Sequence, residues 1–244
     1  MRKLSALTVL CSVMALMPAT ALASDPPVVV ELFTSQGCSA CPDANQNVVR
    51  MADDPKVIVL TYGVDYWDYL GWSDTFARPE FSQRQRAYRQ ALGLRSLATP
   101  QVVISGQKTI EQARPEDLAE AIAAQNNKTD WPPEIEFRET GDRVGVGSGR
   151  TPDGGAEVVA IRYLPGVHNV QVRAGDNRGR SVSHVNVVRE IHSLGEWNGR
   201  STLYQLPPQF TRATTRGEAV LVMLQSKVDR RIIAAASLPE LRHD

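Results

Sequence analysis

Residues 28–42 read VVVELFTSQGCSACP. The first part, Val28 to Phe33, is a continuous apolar run broken only by Glu31, with the length and composition of a buried strand. A short polar turn follows, then Cys38 and Cys41 in a CxxC, then Pro42 at the start of a helix-like segment. Proline suits that position because the N–H it lacks has no intrahelical partner in a first turn. A strand, a CxxC and a helix in this order place the cysteines beside free backbone N–H groups and the positive end of the helix dipole. Both favour a thiolate over a thiol. Cys38 is therefore the candidate nucleophile, expected to be exposed ahead of the helix, with Cys41 covered in its first turn.

Upstream of this stretch, Arg2 and Lys3 precede an apolar segment from Leu4 to about Met17, and Ala21-Leu22-Ala23 precedes Ser24. This is the pattern of a secretory signal peptide over residues 1–23. The apolar segment falls short of the roughly 20 residues of a bilayer span and is broken by Pro18, so no stable membrane insertion is expected after cleavage near Ala23. Cys11 lies inside the signal and leaves with it, so the exported chain keeps two cysteines and one bridge between them in an oxidising compartment, periplasmic or secreted. As a staple the bridge is weak: closing a ring of about four residues removes only about 2 kcal/mol of unfolded-chain entropy. As a metal site it is half complete, because closed zinc sites want four ligands and no second CxxC or matched histidine pair exists among His168, His184, His192 and His243. Redox chemistry fits the pair better. No metal and no cofactor are expected.

Without Arg2 and Lys3, the 27 basic residues fall to 25, against 27 acidic ones. That balance speaks against a nucleic-acid partner. The pattern of elements changes at Asn126 to Pro133, polar and then broken by proline, which divides the exported chain into residues 24–127 and 128–244. In the first part, strand Val28–Phe33, helix Pro42 to about Met51 and strand Val57–Tyr62 form a βαβ unit with parallel strands. After an aromatic segment, 63–76, come a helix from Pro79 to about Leu92, capped by Gly93, a hairpin around Gly106 with strands Gln101–Ser105 and Lys108–Ile110, and a helix Pro115–Gln125. The exposed face of the Pro79 helix reads as basic, carrying Arg84, Arg86 and Arg89. The second part reads as strands at 134–138, 143–147, 157–163, 169–173, 183–191, 202–206, 219–225 and 232–236, with turn signals at Pro152 to Gly155 and Asp176 to Gly179. Their spacing implies an antiparallel sandwich or open barrel.

The order βαβαββα, with CxxC after the first strand and Thr99-Pro100 before the third, resembles the thioredoxin fold. The strings ELFTSQGCSACP, VDYWDYLGW, RQRAY, TPQ and NVVREIHSLGEWNG are together similar to a bacterial secreted thioredoxin-like family catalogued as a domain of unknown function, number twelve-twenty-three. The resemblance implies that Pro100 is a cis-proline facing the sulfurs, with Thr99 beside it. It also places Glu31 near the position of thioredoxin's buried acid, where it would take the proton of Cys41 through water; an edge-strand glutamate facing solvent is the competing reading. Gly37 stands where thioredoxin has tryptophan, and Ser39-Ala40 where it has Gly-Pro, so no redox potential carries over.

Asp65, Tyr66 and Trp67, with Asp68, follow the second strand on the sheet edge that carries the CxxC and are candidates to line a substrate cleft; a core-capping role is the alternative. The expected activity is thiol-disulfide exchange with protein thiols or disulfides, including those of a membrane redox partner, by attack of Cys38 and resolution by Cys41. A periplasmic carrier of a thiophilic metal such as copper, and a scaffold without catalysis, are the alternative classes. The β-rich part shows no catalytic cluster and is expected to tune or position the first part. Its string His192 to Gly199 is expected to make the contact through an exposed Trp197, and Arg162, Arg173, Arg178, Arg180 and Arg189 read as solvated strand charges.

Overall fold

The computed structural model describes residues 27–126, 132–213 and 216–238. The signal segment 1–23 with Cys11, and the boundary placed at 127–128, lie outside the described residues. Strand β1 (Val28–Thr34), helix α1 (Cys41–Val49), strand β2 (Val57–Gly63), helix α2 (Pro79–Ala91), strands β3 (Gln101–Ile104) and β4 (Lys108–Ile110) and helix α3 (Pro115–Asn126) follow the expected order. Then come β5 (Ile135–Phe137), β6 (Arg143–Val146), β7 (Ala156–Gln171), β8 (Ser181–Trp197), β9 (Thr202–Gln205), the short helix α4 (Pro208–Thr211), β10 (Ala219–Ser226) and β11 (Ile232–Ser237). The two strands expected at 157–163 and 169–173 are one long strand. Pro165 and Gly166 interrupt its hydrogen bonding, and the register with β8 slips between Leu164 and Val167, but the strand does not end.

Elements from both parts of the chain share one eight-stranded sheet, ordered β11-β10-β7-β8-β2-β1-β3-β4. β1 and β2 run parallel, as a right-handed βαβ crossover requires, while β1–β3 and β3–β4 are antiparallel. The junction between the parts is the parallel pairing of β2 with β8, centred on Thr61 and Val187. Side chains supplement it: Thr61 Oγ1 donates to the Val185 carbonyl at 2.6 Å, and Asn186 Nδ2 to the Val59 carbonyl at 2.9 Å. Asn186 has φ +49°, a left-handed conformation that asparagine tolerates better than a β-branched residue. From there its Oδ1 also accepts the Gly166 N–H at the β7 irregularity.

The alternation of β1 assigns its two faces. Val28, Val30 and Leu32 pack with Ala44 and Val48 of α1 and with Leu118 and Ile122 of α3. Val29 and Phe33 point the other way, toward Phe81 and Tyr88 of α2, Tyr62 of β2, and Ile161, Leu221 and Met223 of the β-rich part. The sheet curls around α2. Its far strand returns to the β3–β4 hairpin, where the Ile232 N–H donates to the Ser105 carbonyl at 2.9 Å. Gly106, at φ +71°, lies so close to this turn that a Cβ would sit 2.0 Å from the Arg230 carbonyl oxygen. The antiparallel sheet β5-β6-β9 packs through Val144, Val146 and Tyr204 against Val158, Ala160, Val220 and Val222 of the long sheet. The second part thus forms no antiparallel sandwich or barrel of its own: four of its strands extend the mixed sheet, and the other three form a separate antiparallel sheet packed on them.

The basic face expected on α2 is borne out in part: Arg86 is exposed and Arg89 half-buried. Arg84 is instead buried, with its Nε 2.7 Å from Glu31 Oε1. Trp197 is likewise buried, donating from Nε1 to the Gly147 carbonyl at 3.1 Å inside the core beneath the small sheet. It anchors that core and makes no bridge to the CxxC half. Arg162 is not solvated either: it lies between Glu190 at 2.7 Å and Glu218 at 2.5 Å.

Candidate functional site

The loop from β1 to α1 is a chain of tight main-chain bonds. Cys38 N–H donates to the Ser35 carbonyl at 3.2 Å, and Cys41 N–H to the Cys38 carbonyl at 3.1 Å, so the CxxC turn runs directly into α1. The Cys38 and Cys41 sulfurs are joined, with Cα atoms 5.4 Å apart, well inside the range a bridge demands. Both cysteines are buried, Cys38 at 1 % exposure and Cys41 at 0 %. The expected contrast between an exposed and a covered cysteine is therefore absent in this disulfide form, although Ser39 and Ala40 between them are exposed.

Across from the sulfurs stands the loop that leads into β3. The Thr99–Pro100 peptide is cis, and Cys38 Sγ lies 3.5 Å from the Thr99 carbonyl oxygen. α2 holds this loop: Gln85 Nε2 donates to the Ala98 carbonyl at 2.8 Å and to Gln101 Oε1 at 2.9 Å. Tyr66 reaches the same loop, with its hydroxyl against Thr99 Oγ1 and donating to Gln85 Oε1 at 2.9 Å. Burial pushes the Tyr66 phenol up from its ordinary value, so it is neutral throughout the physiological range. Of the three cleft candidates, Tyr66 is thus brought to the Thr99 loop. Asp65 turns to α2 instead, accepting from Ser82 Oγ at 2.5 Å. Trp67 is half-buried and stacks on the exposed Tyr69, ring centres 6.4 Å apart.

Glu31 is not placed for the role expected of it. It sits in a central strand, between Leu60 of β2 and Val103 of β3, on the face opposite α1. There Arg84 grips it with Nε at 2.7 Å and Nη2 at 3.1 Å, and Tyr88 OH donates to Oε2. Burial pushes its carboxyl up, but the charge and hydrogen bonds of Arg84 outweigh that and hold it below the ordinary carboxylate range. Glu31 is therefore an anion near neutral pH, locked to α2 on the face away from α1 rather than free to take the proton of Cys41. Gln225 of β10 completes this cluster, bonding Arg84 Nη1 at 3.1 Å and Tyr88 OH at 2.9 Å.

Three residues that frame the CxxC were not singled out by sequence reading. Gln36, buried just ahead of Cys38, donates its N–H to Asp74 Oδ2 at 2.7 Å, and its side-chain oxygen accepts from Trp72 Nε1 at 2.9 Å. Asp74, also buried, receives the Phe76 N–H at 2.8 Å; burial, partly offset by these N–H donors, pushes its carboxyl up to about 6. Asn177, from the β7–β8 hairpin, donates to the carbonyls of Gln36 at 2.9 Å and Cys38 at 2.7 Å. Gln36 adjoins the cysteines and the string Asp176 to Gly179 reads as a turn, but no local pattern links positions 139 residues apart. Behind this shell His184 is buried against the edge of Phe76, at 5.3 Å between ring centres, and burial lowers it to about 4, so it stays neutral near pH 7.

Among the described residues, no group of three or more His, Cys, Asp and Glu side chains converges as a metal site, and no helix is long and apolar enough to cross a membrane.

The model of the family described as "Protein of unknown function (DUF1223)" matches residues 29–225, and the chain belongs to that family. A crystal structure of protein AGR_C_4864 from Agrobacterium tumefaciens is similar to it over 91 % of this chain and 98 % of that one, with 28 % identity and a TM-score of 0.72. HBP35 of Porphyromonas gingivalis shares the fold over 89 % of this chain and 76 % of that one, with 15 % identity and a TM-score of 0.55. No curated protein matches the chain.

Proposed function

We propose that this DUF1223 protein is an exported thiol-disulfide oxidoreductase whose β1-to-α3 half is thioredoxin-like. The observation that carries the reading is the juxtaposition of the Cys38–Cys41 disulfide, at the start of α1, with the cis Thr99–Pro100 loop, whose carbonyl lies 3.5 Å from Cys38 Sγ. The strand relations around it support the fold: β1 and β2 parallel with α1 between them, β3 and β4 antiparallel beyond. The leader pattern read at residues 1–23 and, beyond it, cysteines confined to one CxxC support an oxidising compartment outside the cytoplasm.

The exchange needs no cofactor. In the oxidising direction a partner's thiolate attacks Cys38 Sγ, the Cys38–Cys41 bond breaks, and Cys41 leaves as the thiolate. A second thiol of the partner, deprotonated, then attacks its own sulfur in the mixed disulfide and releases Cys38. Two electrons pass to the CxxC, and the partner leaves with a disulfide. The reverse direction runs through the same intermediate. The start of α1 stabilises the thiolate at each stage through its free N–H groups and its dipole. Tyr66, which fixes Thr99, and Trp67 are proposed to line the approach of the partner chain, with Asp65 holding their segment to α2.

Redox titration of the purified protein in glutathione buffers, with metal content measured on the same sample, tests this. A reversible two-electron transition at Cys38 and Cys41 is expected. A pair that never equilibrates with glutathione, or a stoichiometric copper complex that blocks both thiols, overturns it in favour of a scaffold or a carrier.

A further inference from the structure

We propose that Asn177, supplied by the β-rich half, is a positioning residue that clamps the Cys38 turn and sets the reactivity of the Cys38 thiol. The proposal rests on the exchange reading above and assigns a role in it to the second half of the chain.

The hairpin that carries Asn177 is built to hold it still. At its neck the Val172 N–H donates to the Arg180 carbonyl at 3.0 Å and the Gly179 N–H to the Val172 carbonyl at 2.9 Å. At its tip the Arg178 N–H donates to the Gly175 carbonyl at 3.1 Å and the Arg180 N–H to the Asn177 carbonyl at 2.9 Å. Gly175, at φ +72°, packs onto the segment after β2; a Cβ there would lie 3.3 Å from the Leu70 carbonyl oxygen and 3.4 Å from Trp72 Cβ. With both flanks secured, Asn177 is fully buried while Asp176 and Arg178 on either side are not.

The side chain is used in one orientation only. Both neighbours are carbonyl oxygens, so both bonds must come from Nδ2, and the amide cannot be flipped. Oδ1 is then left buried without a hydrogen-bond donor among the described residues. A buried acceptor without a donor costs free energy, and the two bonds that Nδ2 donates offset it. One of these goes to the Cys38 carbonyl, which also accepts the Cys41 N–H that starts α1. The other goes to Gln36, whose N–H is held from the opposite side by Asp74. Asn177 therefore pins the main chain on both sides of Gly37, keeps Cys38 over the start of α1, and brings the positive end of its amide dipole to the Cys38 backbone. The first holds the turn in place, and the other two favour the thiolate.

The test is the pH profile of alkylation of Cys38 in the chemically reduced full-length protein by iodoacetamide, together with the equilibrium of the pair against glutathione. Asn177→Ala and Asn177→Asp are compared with Val222→Ala, a cavity variant in the distant core beneath the small sheet. Asn177→Ala is expected to raise the alkylation midpoint by about half a unit or more and to shift the glutathione equilibrium about fivefold toward the disulfide, the scale of a lost hydrogen bond. Asn177→Asp, which adds negative charge, should raise the midpoint further. Val222→Ala should leave both readings at the wild-type value while lowering stability. Unchanged midpoints in the Asn177 variants, or an equal change in Val222→Ala, overturn the proposal. The alkylation profile reads the clamp even if the wild-type pair fails to equilibrate with glutathione, so failure of the exchange reading is told apart from failure of the clamp.

Discussion

Arg84 of α2 and Glu31 of β1 form a two-pronged ion pair, Nε to Oε1 at 2.7 Å and Nη2 to Oε2 at 3.1 Å, at the centre of the curled sheet. Gln225 of β10 and Tyr88 of α2 close the ring around them, and the guanidinium lies over the Tyr88 ring at 5.1 Å. The pair therefore joins the first strand of the chain, the central helix and a strand from the far half. Breaking one side of such a pair strands a charge in the core.

Arg84→Met should accordingly destabilise the protein by about 3–5 kcal/mol, the usual scale for an uncompensated buried charge. The double variant Arg84→Met with Glu31→Gln should recover much of that loss. Urea denaturation of the two variants checks it; equal stability of the single variant and wild type would show that the ion pair contributes nothing.

Asp74 and Glu31 respond to pH with opposite signs. The Glu31 carboxyl lies below its ordinary value of 4.5 in the fold, so its stabilising effect is present above that pH and is lost on acidification. The Asp74 carboxyl lies above its ordinary 3.8, at about 6, so the folded state binds its proton more tightly than the unfolded state. Its contribution falls as pH rises from about 4 to about 6. Asp74→Asn should remove that decline, and the difference in urea midpoint between pH 4.5 and pH 6.5 should become more positive than in wild type. An unchanged difference would mean that Asp74 does not titrate in this window.

Cys41→Ser should accumulate mixed disulfides through Cys38, because the resolving thiol is gone while the attacking sulfur keeps its place beside Thr99. Mass spectrometry of protein recovered from an oxidising compartment reads this directly. Adducts accumulating on Cys38→Ser in place of Cys41→Ser would reverse the two roles.

A chain ending at Asn126 should not fold cooperatively. It would lose β8, the hydrogen-bonding partner of β2, together with Ile161, Leu221 and Met223, which cover α2, and Gln225, which satisfies Arg84. Near-UV circular dichroism and a broad thermal transition would show the loss; a sharp transition with native tertiary signal would establish that the first half is an independent domain.

The sequence by itself determined the local elements and pointed to the chemistry proposed above. The apolar run Val28 to Phe33, the CxxC ahead of Pro42, and Thr99-Pro100 before β3 are contiguous signals, and β1, α1, β2, α2 and the β3–β4 hairpin fall close to where their periodicities and turn residues place them. Tertiary structure decided which faces were covered. Arg84 and Trp197 read as exposed because a single-chain pattern shows polarity and turn residues, not the strands that later close over them. The resemblance placed Glu31 near the cysteines, but strand alternation sends it to the opposite face, where Arg84 had to be brought from 53 residues away. Asn177 and Cys38 met for the same reason: a hydrogen bond across 139 residues exists only after β8 has paired with β2 and the hairpin tip has docked, and nothing local encodes it.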